Sequence, residues 1–230
     1  MVLVLALAHI GSLLTPLTSV ETGRANRIDV RDRLVALLPA TASPPVFLGD
    51  ALQTAVEALE ELEHVPHTAE FLRLGTAGPW SVCAFSEPEH PDAERALQVR
   101  TAAIRVDGVE QEVDGDGAVR TSAAFTVDDD GTQLRGRYQV DASLSLTPMV
   151  DSLDMRSSPE RRLSLPRAPT SMEVVEMMQL LHGRLCTEFR ADEGVRVGMQ
   201  TTYLDDTLRI TRCTKSGMLR GACTVYRRMA

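Results

Sequence analysis

Five histidines, four cysteines and several runs of aspartate are the side chains of this chain whose types and spacings suit chemistry. His64 and His67 form an H-x-x-H, but Val65-Pro66 interrupts any helix between them. A metal site needs three or four ligands converging in space, and no third ligand stands nearby, so polar side chains at a helix end are expected. Asp128-Asp129-Asp130 and Asp114/Asp116 lack the glycine at position six and the glutamate at position twelve of a calcium-binding loop. Hairpin turns explain both. Asp205-Asp206 is a carboxylate pair, but neighbours in a strand point to opposite faces, which favours a turn or strand-end role over acid–base work. No G-x-S-x-G elbow, phosphate-binding loop or dinucleotide fingerprint occurs. The expectation is therefore no enzyme, no cofactor and no metal. Cys83, Cys186, Cys213 and Cys223 form no C-x-x-C pair. A turn at Lys215-Ser216-Gly217 would put Cys213 opposite about Leu219 and Cys223 beyond disulfide reach, so free thiols are expected.

The whole-chain numbers narrow the partners. Of 230 residues, 43% are apolar, enough for a sizeable core, while aromatics are 4%. Net charge is -8, with no basic face for nucleic acid. Lys215 is the single lysine beside many arginines, which reads as codon bias. Residues 1–27 form an apolar arm or a targeting remnant. The opening Met1–Leu14 run is too short for a membrane span and lacks a basic leader region. The stretch from Ser12 to Arg33, with Ser, Thr and Arg and few acids, has an organelle-targeting flavour; an arm that packs on the fold or on a partner is the competing reading.

These side chains need elements to carry them. Apolar spacing predicts helices over 28–38 and 50–63, the second opened by an Asp50/Gln53 capping box and ended by Pro66. Strands are expected at Trp80–Ser86 and Leu97–Val106. Asp-Gly pairs at 107, 114, 116 and 130 then mark hairpin turns. Alternation is clean beyond them: Val119, Thr121, Ala123, Phe125 and Val127 share one strand face, and Leu134 to Leu146 in steps of two share another, with Gly136 read as a barrel-corner bend. Met149–Arg167 reads as a polar loop with two prolines. A Met-rich helix is expected over about 171–182, between Thr170 and Gly183. Strands at 185–190, 195–204, 208–213 and 218–227 follow. The sum is a mainly β fold with α, about eight or nine antiparallel strands from about 80 to 228. It is a single domain over 28–230, and its meander must close or cover its edges as a small barrel.

Two segments carry a family likeness. Tyr203-Leu204-Asp205-Asp206-Thr207-Leu208-Arg209-Ile210-Thr211-Arg212, followed by Gly217 and an apolar last strand, resembles the C-terminal signature of the plastid lipid-associated proteins, the fibrillins. Gly78-Pro79-Trp80, after a helix ending Glu57-Ala58-Leu59-Glu60-Glu61-Leu62, is similar to that family's helix and Gly-x-Trp strand. The likeness spans about Leu34 to Arg228. It implies a lipocalin-like barrel in plastids, attached to a plastoglobule or to the stromal side of a thylakoid, that binds an apolar small molecule such as a lipid, prenylquinone, carotenoid or fatty acid. The first strand and the charged 87–94 stretch depart from the family pattern.

In barrels of that kind a tryptophan near the closed end is covered by an arginine from the last strands. Trp80 with Arg209 or Arg212 would do so here, a contact of roughly 0.5–2 kcal/mol. A ligand carrier would line its cavity with Phe125, Tyr138, Val140, Val197, Met199 and Tyr203. The alternative is a structural or assembly subunit docked on a photosynthetic membrane complex, with a filled barrel and the N-terminal arm as anchor.

Overall fold

The computed structural model describes residues 26–40, 43–62, 68–86, 104–146, 152–170, 196–214 and 221–229. The chain forms two compact units. One spans Met1–Leu38 and Asp50–His64 and contains helices α1 (residues 26–37) and α2 (Asp50–Glu61). Along α2, Leu52, Ala55, Val56 and Leu59 are buried while Glu57 and Glu61 stay in solvent, the stripe expected from a 3.6-residue period. On α1, Leu34 and the following Leu38 are buried, but Ile28 and Leu37 are exposed. The expected capping box is replaced: the Gln53 amide donates to Glu57 Oε1 at 2.5 Å, one turn on.

The second unit spans Pro39–Gly49 and Val65–Ala230. It holds β1 (Val46–Phe47), α3 (Ala69–Thr76), β2 (Gly78–Phe85), β3 (Ile104–Val113), β4 (Ala118–Asp129), β5 (Thr132–Leu146), β6 (Ser152–Ser164), β7 (Arg196–Leu204), β8 (Leu208–Cys213) and β9 (Cys223–Arg228). The fold is mainly β: a nine-stranded sheet in which consecutive strands are neighbours. Every pairing is antiparallel except the short parallel one of β1 with β2. β2 is hydrogen-bonded on both sides, to β3 and, through Trp80↔Arg228 to Phe85↔Thr224, to β9.

The turns follow from their residues. Asp130 (φ 53°) and Gly131 (φ 81°) join β4 to β5 with positive φ at both central positions, and Asp128 Oδ1 accepts from Gly131 N at 2.8 Å. Between β3 and β4, Asp114 Oδ1 accepts from Asp116 N and Ala118 N at 2.9 and 2.8 Å. Asp107-Gly108, expected as another turn, lies inside β3 instead, where the register with β4 shifts between Val106 and Gly108. A β-bulge absorbs the flexible pair that a hairpin would have used.

Three more expectations are corrected. Residues 152–164, read as a loop, form β6. Pro159 is accommodated because the β5–β6 register shifts there, from Val140↔Arg161 to Ala142↔Ser157, where no ladder N–H is needed from it. The connection in the last hairpin is longer than expected: Cys223 pairs with Arg212, and Cys213 N donates to Ala222 O at 2.9 Å. Cys83, Cys213 and Cys223 form no disulfide; on neighbouring rungs, Cys213 and Cys223 fall on opposite faces. Gly136 supplies space rather than a bend: a Cβ there would collide with the Phe125 ring and come within 2.8 Å of Leu165 Cδ2. The expected helix at 171–182 and strand at 185–190 lie outside the described residues.

Candidate ligand-binding face and the Trp80 cluster

Register decides which side chains share a face. Phe125 pairs with Gly136, Ala123 with Tyr138 and Thr121 with Val140. Through Tyr138↔Leu163, Leu144↔Met155 and Met155↔Val197, the same face continues to Met199 on β7. Through Gln111↔Thr121 and Trp80↔Gln111 it continues to Trp80 on β2. Phe125, Tyr138, Val140 and Met199, four of the six residues expected to line a cavity, are therefore on one face with Trp80. Tyr203 is not. The β7–β8 register shifts between Thr201 and Tyr203, so Leu204, paired with Arg209, takes the face that simple alternation assigns to Tyr203. Tyr203 is 1% exposed on the other face, and its hydroxyl donates to Asp205 Oδ2 at 2.7 Å.

At one end of this face the indole of Trp80, fully buried, is held by directional contacts. Its Nε1 donates to Thr76 O at 2.8 Å, at the C-terminus of α3. That helix was not predicted between Pro66 and Trp80. It starts at Thr68, whose hydroxyl accepts from Phe71 N at 3.2 Å, and it buries Leu72 against Trp80, Val82, Val113, Val119, Leu204 and Tyr226. Gly75 lets α3 approach β7, since a Cβ there would lie 2.7 Å from Leu204 Cδ2.

Two guanidinium groups flank the indole. Arg209 Cζ is 5.0 Å from the Trp80 ring centroid and 4.0 Å from that of Tyr226. Arg228 Cζ is 4.2 Å from Trp80. Arg212, the other expected partner, pairs with Cys223 and lies on the opposite face. Arg228 was missed because it falls one residue beyond the predicted last strand, and it is the better satisfied of the two. It donates to Gly75 O, Ala77 O and Asp206 O at 2.6, 2.7 and 2.9 Å, two of them carbonyls at the end of α3, where a cation also opposes the helix dipole. Arg209 is 2% exposed and donates through Nη2 to Gln111 Oε1; Gln111 Nε2 in turn donates to Thr121 Oγ1 at 3.2 Å. Burial pushes the Arg209 guanidinium pKa below its ordinary value, with Tyr226 acting in the opposite direction.

The other end is apolar. Phe125, Val127 and Leu134 form a small cluster with Tyr138 and Leu165 packed against it. Tyr138, Val140 and Met199 are only half-buried. Beyond them Asp129, 1% exposed, accepts from Arg167 Nη1 at 2.7 Å and from Thr170 N and Oγ1 at 3.0 Å.

The aspartate motifs make local hydrogen bonds. Asp205 Oδ1 accepts from Thr207 N and Leu208 N, both at 2.7 Å, so this aspartate shapes the β7–β8 turn. Asp107, on the opposite face at the β3 bulge, borders a shallow cleft with Gly108, Glu110, Ser122, Ala124 and Arg137. Burial alone would raise its pKa, but the Thr126 hydroxyl, at 2.5 Å, and Arg105, at 2.8 Å, leave it below the usual carboxylate value. Among the described residues no group of three or more His, Cys, Asp or Glu side chains could hold a metal ion, and no helix is long and apolar enough to cross a membrane. His64 and His67 lie outside those residues. Compared with known proteins, the chain matches no family model and no curated protein.

Proposed function

We propose that this chain is a non-enzymatic binding protein that holds or shields one apolar small molecule, a lipid, prenylquinone, carotenoid or fatty acid, inside a lipocalin-like barrel at a plastid membrane. The observation that carries the reading is the pairing of β2 with β9 as well as β3. It supports a ring of eight strands, β2 to β9, whose shared face turns inward. Eight strands leave an interior that side chains fill or that holds one small ligand. The Trp80 end supports a closed floor, and the half-buried Tyr138, Val140 and Met199 support an apolar chamber beyond it. The likeness of Tyr203–Arg212 to the fibrillin signature supplies the plastid setting, a thylakoid or plastoglobule surface.

Native mass spectrometry of the full chain after incubation with a thylakoid lipid extract tests this. A one-to-one adduct with an extractable apolar molecule is the expected result. A bare protein mass across quinones, carotenoids and fatty acids overturns the reading. It would favour the assembly-subunit alternative, which the close packing around Trp80 supports.

A further inference from the structure

Arg209 is a fully buried cation with an unspent donor. Its Nε has no hydrogen-bond partner, and neither has the buried hydroxyl of Thr201. An unpaired charge out of water is costly unless an anion accompanies it. Register places both orphans on the inward face of the proposed barrel: Thr201 pairs with Thr211, and Thr211 stands two residues from Arg209 on β8. That spacing is about 7 Å along the strand. Among the described residues, Asp129 is the one carboxylate that register assigns to this face, and Arg167 and Thr170 engage it at the far end. No ion pair to Arg209 occurs among the described residues, and the neighbouring charge is a second cation, Arg228, which depresses its pKa further.

We propose that the Arg209 Nε and the Thr201 hydroxyl form the head-group site for a monoanionic amphiphile, a long-chain carboxylate. The claim rests on the apolar-ligand reading above and narrows it to an acid. One carboxylate neutralises the buried Arg209 guanidinium, accepting from Nε while Nη2 remains on Gln111. Thr201 donates to its second oxygen. Met199, two residues along β7 on the same face, then meets the first carbons of the tail, which continues toward Tyr138 and Val140. The polar floor around Trp80 fixes the head, and the apolar side chains accept the chain.

The test compares stearate with methyl stearate, equal in tail and unequal in charge, by calorimetric titration of the full chain. Stearate is expected to bind at least about ten-fold tighter, the effect of one or two charge-assisted hydrogen bonds. Thr201→Val, which keeps the side-chain shape, is expected to cut the acid-over-ester ratio at least about three-fold. Arg209→Gln, checked for folding by circular dichroism, is expected to abolish the preference. Equal affinity for acid and ester overturns the head-group site and leaves the apolar-ligand reading standing. Binding of neither overturns the head-group site, while the apolar-ligand reading falls only with a bare mass across quinones, carotenoids and fatty acids as well. An acid preference untouched by Thr201→Val in a folded protein overturns the placement of the site.

Discussion

Around Trp80, one face of the sheet carries an indole, two guanidinium groups, a glutamine and a tyrosine, with Trp80 and Arg228 tied by hydrogen bonds to the C-terminus of α3. Around Tyr138 and Met199 the same face carries apolar side chains that remain half-exposed. Directional bonds fix the first region to one arrangement, because each donor or acceptor left unpaired in a buried place costs about 1–3 kcal/mol. The second is lined by half-buried side chains, and Met in particular adapts its shape to what lies beside it. In the proposed barrel the hydrogen-bonded region would be a floor and the apolar region a wall, the division that the proposed binding role requires.

Substitutions separate the two regions by size of effect. Trp80→Ala removes the largest buried side chain of the floor and its bond to Thr76, and is expected to lower unfolding free energy by about 3–5 kcal/mol in urea denaturation. Gly136→Ala, at the boundary, forces the Phe125 ring and Leu165 to move and is expected to cost about 1–3 kcal/mol. Phe125→Leu in the same chain should recover part of that loss, a non-additivity that places the strain in this pair. Met199→Ala, in the wall, is expected to cost under about 1.5 kcal/mol because the side chain is half-exposed. A larger loss would mean that the wall is as tightly built as the floor.

The smallest effect belongs to neither region. Asp107 has a folded-state pKa below its ordinary value, held there by Thr126 and Arg105 against the opposing effect of burial. It therefore adds stability above its unfolded pKa of about 3.9, and that contribution is lost as pH falls through the lower folded value. Asp107→Asn should remove a few tenths of a kcal/mol at neutral pH and flatten the acid limb of the stability profile below about pH 4. An unchanged acid limb would show that the Thr126 and Arg105 contacts do not bias the carboxyl.

Much of the sheet was legible because β4 and β5 obey a period of two and are joined by Asp-Gly, whose tolerance of positive φ leaves few alternatives. Bulges hid the rest. The shift between Thr201 and Tyr203 moves Tyr203 off the face that counting by twos assigns, and residue type gives no sign of it. The bulge at Asp107-Gly108 uses the same residues as a hairpin turn, so local chemistry does not distinguish them. β6 was missed because its arginines and Pro159 read as loop, while its pairing with both β5 and β7 is a tertiary fact. Arg209 was named as a partner of Trp80, but the orphaned Nε depends on Gln111, 98 residues away in sequence.

Trp80 is the single tryptophan of the chain and sits in the floor. It is thus a built-in reporter of whether the wall admits a guest. Titrating the full chain with stearate brominated along its tail, while following tryptophan fluorescence, tests the central claim most directly. Saturable quenching at one equivalent, reversed by unbrominated stearate, is the expected result. Quenching that rises without saturation, or none at all, would contradict it.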